Sequence, residues 1–447
     1  MFILRDLLLP LQGEFSNTKQ GQKRKVWFVY ALLSVVVPFT SSISSNLLRT
    51  LQTLFGLEIQ SQRFYAFMAS PTLPWKALWR TMWKQIPAPT TAGRIMVAID
   101  DSINPKSGKK IFGCGHFHNH ATKGSKDSYP WSQCILAMGL LKVVKSRWVC
   151  LPLDFRFYMM QKDIEAKSIN AIRKGEIVSF QTKMEQAANM VREVHRCFQL
   201  PVLIVADSWF GNDGLWSRLD RGSDGCFNLL TRVRTNLTLY DFPPVLNGDK
   251  KRRAGRPKKY GNRLGSVDDC ALKWKESAQP YRVFLYGKKR EVFAYSQVVM
   301  LKTMKCPVRI VWVYRQTRYV ALMTTDLELS IKQIIEYYGA RWKIESGFKE
   351  IKQDVGSSKS QTRNAEAVIN HLNFCMMATT LTWIYADRLQ VAPDRKYKIR
   401  GRASFAFSDV RRIIAEAALH KDFHRVCPLP GQRPQKSFIK TLLRMVA

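Results

Sequence analysis

Over residues 1 to about 90, apolar residues recur at three- and four-residue intervals, the spacing that gathers them on one face of an α-helix. The run VWFVYALLSVVVPF at 26–39 is too short to span a bilayer, contains Pro38 and lacks a small-residue cleavage site, so it predicts a buried helix. SSISSNLLRTLQTLF follows with serines as helix caps ahead of its apolar spacing, Gly56 ends it, and LEIQSQRFYAFM resumes. Two short helices about a glycine suit either a helix-turn-helix or ordinary helical packing. From residue 94 the period shortens. RIMVAIDD and PVLIVADSWFG are short apolar runs that end in Asp, with WSQCILAMGLL and RWVCLPLDFRFYM between them as further strands and FQTKMEQAANMVREVHRCF at 180–198 as a helix. That order predicts an α/β fold with a mixed sheet and at least one crossover.

After CFNLLTRVR at 226–234 the pattern breaks. GDKKRRAGRPKKYGNR carries eight basic residues between Lys250 and Arg263, with Gly and Pro and no acid, which predicts an exposed or disordered loop. YRVFLYG, REVFAYSQVVML, VRIVWVYR and YVALMTT then read as an antiparallel group of strands, and helices return at about 329–355 and 363–388. A basic tail with RKYKIRGR and SDVRRIIAEAAL closes the chain. Five regions result: helical 1–90, expected to bind DNA, α/β 91–235, β-rich 236–325 with the basic loop, helical 326–390, and basic helical 391–447.

Charge narrows the partners. The chain has 71 Lys plus Arg against 34 Asp plus Glu, a formal +37, far more than solubility needs, so the expected partner is a polyanion and nucleic acid leads. Nine cysteines without a CxxC pair argue against a disulfide scaffold or a zinc ribbon and fit a reducing cytoplasm.

Candidate chemistry centres on YGARWKIESGFKEIK at 338–352. On one continuous helix Tyr338, Arg341, Glu345 and Lys352 fall within roughly 60° of each other, with Tyr337, Ile344, Phe348, Ile351 and Val355 as an apolar stripe beside them. A plain amphipathic helix with an Arg341–Glu345 pair is the simplest reading of that stretch alone. Two further acids change the balance. Asp101 and Asp207 stand at the carboxyl ends of hydrophobic strands, where open α/β sheets build their sites. Carboxylates without thiolates suit hard, octahedral Mg²⁺ or Mn²⁺, and two such ions about 3.5–4 Å apart serve phosphodiester chemistry.

The spacing Tyr338-x-x-Arg341-x-x-x-Glu345-x-x-x-x-x-x-Lys352 resembles the Y-R-E-K signature of bacterial insertion-sequence transposases of the IS-four, Tn-five-like group, within the DDE superfamily. In that group the first Asp follows a strand and precedes a small hydroxyl residue, as in VAIDDSINP, which selects Asp101 before Ser102, with Asp100 as the adjacent alternative; the second acid becomes Asp207 and the third Glu345. The resemblance covers roughly residues 94–385. It implies an RNase H-like mixed sheet flanked by helices, interrupted by a β-rich insertion between the second and third acids. It further implies that Asp101, Asp207 and Glu345 hold two Mg²⁺ or Mn²⁺ ions, first for hydrolysis at the transposon ends and then for joining of the 3′-OH to target DNA. Arg341 and Lys352 would hold phosphates and Tyr338 would donate to a phosphate or stack on a base. The partners implied are double-stranded DNA, as terminal inverted repeats and target, and a second copy of the chain in the DNA complex, in the bacterial cytoplasm beside the nucleoid. A metal-dependent nuclease or resolvase that cuts without strand transfer is the alternative enzyme, and a domesticated DNA-binding protein the non-enzymatic one.

Other segments carry weaker signals. Trp312 and Trp274 are candidates for a base-contacting Trp, although a strand Trp is more often core. Cys114, His116, His118 and His120 have zinc-ligand chemistry but no second half-site. In the basic loop, Lys250, Lys251, Arg252, Arg253, Lys258 and Lys259 are expected to contact phosphate, and Gly255-Arg256-Pro257 resembles a minor-groove hook.

Overall fold

The computed structural model describes residues 2–119, 128–244, 258–315, 318–397, 404–420 and 422–423. Helices α1 (Phe2–Gln12), α2 (Lys19–Val36), α3 (Ser44–Thr53), α4 (Ser61–Met68) and α5 (Trp75–Lys84) precede strand β1 (Arg94–Pro105), the hairpin β2 (Trp131–Val144) and β3 (Arg147–Tyr158), helix α6 (Lys183–Phe198), and strands β4 (Val202–Ala206) and β5 (Phe227–Arg232). Strands β6 (Gln279–Leu285), β7 (Lys288–Leu301), β8 (Cys306–Tyr314) and β9 (Tyr319–Thr324) follow, then helices α7 (Ile331–Ala340), α8 (Lys343–Lys349), α9 (Ala365–Arg388) and α10 (Phe407–Leu419). The chain folds as two interleaved compact units, one of Met1–Pro89, Asp101–Thr182 and Glu345–Ala447, the other of Thr90–Asp100 and Lys183–Ile344. Among the described residues no helix is long and apolar enough to cross a membrane.

In the first unit α9 is the organising element. It packs against α2, β3 and α10, and its buried residues occupy all sides of the helix. Polar side chains on so buried a helix need partners. Asn370 Oδ1 accepts from Trp75 Nε1 at 2.6 Å, Asn373 Oδ1 from Trp79 Nε1 at 2.8 Å, and His371 Nε2 lies 2.6 Å from the Ser42 carbonyl. Residues 26–36 of the apolar run form the largely buried part of α2 as expected, while 37–39 lie beyond its end; Arg411 of α10 donates to the carbonyls of Val35 and Val36 near the C-terminus of α2, where the helix dipole favours a cation. The serines read as caps of α3 do not act so: Ser44 is already helical and Ile43 occupies the cap position without a side-chain bond. Gly56, between α3 and α4, has φ +63°, the left-handed region that glycine enters freely. Hairpin β2–β3 turns through Lys145 and Ser146, both at positive φ as a tight two-residue turn requires.

The second unit is built on a mixed sheet. The β1 segment Ile95–Ile99 pairs in parallel with β4, which pairs in parallel with β5; β5 then meets β9 antiparallel, and β8, β7 and β6 continue the antiparallel series. All five residues of β4 are buried, the unbroken apolar pattern of a strand covered on both faces. Helix α6 buries Ala187, Met190, Val191 and Val194 and packs on β4, while α7 starts at a reciprocal Ser330/Gln333 cap and packs along β6 and β9.

The continuous helix expected over 329–355 is replaced by three pieces. α7 stops at Ala340, Arg341 and Trp342 form a turn, α8 runs only from Lys343 to Lys349, and Glu350–Asp354 is a π-helical segment. The turn is tightened by Arg341 N–H donating to the Tyr338 carbonyl at 3.2 Å, three residues back rather than four. β1 also departs from expectation: its buried stretch ends at Ile99, but the strand carries on through Asp101 to Pro105.

Candidate active site

The second unit places one acid by strand register and a second by a turn. The β1–β4 ladder runs from Ile95↔Val202 to Ile99↔Ala206, so Asp100 and Asp207 are the next residue on each strand. Asp207 Oδ1 accepts the backbone N–H groups of Trp209 at 3.0 Å and Phe210 at 3.1 Å, an Asx turn that leaves Oδ2 outside it. The turn is closed by Gly211, whose N–H donates to the Asp207 carbonyl at 2.8 Å and where any Cβ would collide with the Thr231 side chain. Trp209, 44 % exposed, stands on the buried Phe210 ring with Lys183 Nζ 5.3 Å from its own.

Arg341 turns back to the same unit's strand. Its guanidinium Nη1 lies 3.3 Å from Asp100 Oδ2, with the Arg side chain only 8 % exposed. It also lies 5.8 Å from the Tyr338 ring and 5.5 Å from the Trp342 ring. Burial raises the Tyr338 hydroxyl above its ordinary pKa, against the opposing pull of Arg341 and Arg232. Tyr338 is therefore a hydrogen-bond donor at any physiological pH.

The first unit holds the other candidates. Asp101 Oδ2 lies 3.5 Å from Cys134 Sγ, and Lys352 Nζ donates to Ser102 Oγ at 2.6 Å and to the Ile103 carbonyl at 2.5 Å. Burial lowers the Lys352 ammonium to about 8, partly countered by Cys134 and Asp101. Glu345 is exposed in the first turn of α8, where the helix dipole favours a carboxylate. The π segment that carries Lys352 also buries Glu350, whose Oε2 accepts Trp383 Nε1 at 2.9 Å. Of the sequence candidates, the fold therefore groups Asp101 with Lys352 in one unit and Tyr338 with Arg341 in the other, where Asp207 also lies.

The lowered Lys352 pKa has a consequence for stability. Between about 8 and the ordinary 10.5, the unfolded chain binds more protons at this lysine than the folded one does, so its contribution to stability rises with pH across that window. The stability difference between the parent protein and Lys352→Met should move in the parent's favour from pH 7.5 to pH 10, read by denaturant titration. An unchanged difference would show that the ammonium carries no burial cost.

Several candidates stand elsewhere. Trp312 is fully buried, donates from Nε1 to the Val267 carbonyl at 3.0 Å and packs on Trp274, so it is core and does not reach a base. Cys114 is buried with its thiol raised to about 12 by that burial, and His116 Nδ1 pairs with the Tyr129 carbonyl at 3.0 Å. His120 lies outside the described residues, as do Lys250, Lys251, Arg252, Arg253 and Arg256; Lys258 and Lys259 are exposed. Among the described residues no group of three or more His, Cys, Asp or Glu is gathered closely enough to hold a metal ion. Taken singly, Asp101, Asp207 and Glu345 each offer the carboxylate oxygens that hard divalent ions take, and Asp207 keeps one oxygen outside its turn.

Sequence reasoning missed Arg232, Ser102 as the acceptor for Lys352, and Cys134. Arg232 had a readable signal: it ends the strand beside the one that ends before Asp207.

Residues 19–288 match the family described as DDE superfamily endonuclease. The chain belongs to that family. The match contains Asp101 and Asp207 and ends before Glu345, so the third acid rests on the Y-R-E-K spacing. Nucleases of this superfamily generally use divalent metal ions and act on DNA. No curated protein matches the chain.

Proposed function

We propose that this DDE superfamily endonuclease is a DNA transposase that cuts the ends of a mobile element and joins the freed 3′-OH to target DNA. The observation that carries this reading is the family match across Asp101 and Asp207, extended by Tyr338, Arg341, Glu345 and Lys352 at Y-R-E-K spacing. The parallel β1–β4–β5 group supports an RNase H-like core, and antiparallel strands between Asp207 and Glu345 support reading that stretch as an insertion. Asp101, Asp207 and Glu345 would hold two divalent ions, which supply an activated nucleophile and charge neutralisation at the phosphodiester.

The chain's own residues bind and orient. Arg341 and Lys352 hold phosphates near the break, Arg341 through a fork suited to two phosphate oxygens. Tyr338, kept protonated, donates to a phosphate oxygen. Asp100, already engaged by Arg341, is a positioning residue that aims the guanidinium, which leaves Asp101 as the ion-binding acid. The +37 charge draws in the DNA backbone, and paired element ends call for a dimer of the chain in the bacterial cytoplasm.

The family description names an endonuclease, which favours cutting without joining as the second reading. A duplex carrying the element's terminal repeats, incubated with protein, Mg²⁺ and a supercoiled plasmid, separates the two. Plasmid joined to the duplex 3′ ends is the expected product. Cut duplex with no joined plasmid would leave the endonuclease alone, and an uncut duplex would overturn both readings.

A further inference from the structure

Helices α2 and α4 of the first unit border an open groove of about 520 Å³, lined by Lys19, Gln20, Lys23, Arg24, Trp27, Arg63, Ala66 and Phe67. We propose that this groove binds one strand of duplex DNA, its phosphates on Lys19, Lys23 and Arg63 and a sugar or base against Trp27. The inference rests on the proposed action on DNA and adds to it a binding surface outside the candidate active site.

Three observations carry it. The lining contains four cations and no acid, and Lys19, Lys23 and Arg63 are exposed. The aromatic floor is built: Trp27 meets the buried Phe67 edge-on at 5.7 Å, and Arg24 is fixed by its Nη1 donating to Thr72 Oγ1 at 2.8 Å. A half-exposed indole between cations offers the stacking and charge that nucleic-acid grooves combine.

The third observation is an internal cost. The first two turns of α2 read KQGQKRK, with Lys19, Lys23, Arg24 and Lys25 and no acidic residue in the first turn. Lys19, in the first turn, opposes the helix dipole, and the cations repel one another, Lys19 and Lys23 four positions apart among them. A polyanion in the groove relieves both effects. Local rules broken in this way are expected where a surface serves binding rather than stability. The groove's size admits a strand segment rather than a whole duplex, so the second strand would remain outside it.

The test uses full-length protein without divalent ions, so that binding is read apart from cleavage. Anisotropy of a labelled duplex is titrated against salt for the parent, for Lys19→Gln/Lys23→Gln/Arg63→Gln, and for Lys288→Gln/Lys289→Gln/Arg290→Gln, which removes as much charge from an exposed hairpin of the other unit. At about 0.9 per phosphate contact, the groove variant should flatten the log-affinity against log-salt slope by about 2–3 and bind about 10–100-fold more weakly at moderate salt. An unchanged slope, or an equal loss in the hairpin variant, would overturn the groove. Photo-crosslinking of 5-iodouridine DNA to the parent guards against a misfolded variant: adducts on the peptides holding Trp27 or Phe67 support the groove, and adducts only elsewhere overturn it. A parent protein that binds no duplex would instead overturn the proposed function and the groove with it.

Discussion

Asp101→Asn, Asp207→Asn and Glu345→Gln should each lower DNA cleavage by about 10³-fold or more, about 4 kcal/mol of barrier, while leaving duplex binding within about twofold. The amides are chosen for structural reasons. Asp207 Oδ1 holds the N–H groups of Trp209 and Phe210, a role that an Asn carbonyl oxygen fills, so the turn survives while the charge is lost. Glu345 is exposed on α8, and its amide costs only a fraction of a kcal/mol in dipole interaction. Asp101 contacts Cys134 Sγ at 3.5 Å, a weak bond whose loss does not unfold the sheet. Binding persists because it draws on basic surface, not on these acids. Cleavage by Glu345→Gln at the parent rate would remove the third acid, which lies beyond the family match.

The second large effect separates the two acids of VAIDDSINP. Asp100→Ala should destabilise the protein by about 2–3 kcal/mol, because it takes the carboxylate from a largely buried guanidinium. The full cost of a severed buried pair is about 3–5 kcal/mol, discounted here because Asp100 is 20 % exposed. Arg341→Met on the same background should recover part of the loss, since no unpaired charge then remains, whereas Asp101→Ala should cost under about 1 kcal/mol. Denaturant melts of the three variants and the double variant read these differences. A stable Asp100→Ala protein that no longer cuts, beside an active Asp101→Asn protein, would exchange the roles of the two acids.

Much of this was visible in the chain. Unbroken apolar runs marked β1 and β4, and their Asp endings pointed to a site, because parallel strands buried on both faces have no polar alternation to hide it. The break at Arg341–Trp342 was not visible. Neither residue is a helix breaker, and the turn coincides with the tertiary pairing of Arg341 to Asp100, 241 positions away. α9 was similarly opaque on one point: Asn370, His371 and Asn373 look like a solvent face, and they are buried because Trp75, Trp79 and Ser42 supply distant partners. The interleaving of the two units, with the chain passing between them after Pro89, Asp100, Thr182 and Ile344, has no local signature.

The central claim is that three carboxylates hold the ions that cut DNA, and Mn²⁺ binding followed by electron paramagnetic resonance tests it without relying on turnover. With uncleavable duplex bound, the parent protein should take up two Mn²⁺ per chain, and Asp101→Asn, Asp207→Asn and Glu345→Gln should each lose at least one. Two ions bound equally by all four proteins would contradict the account.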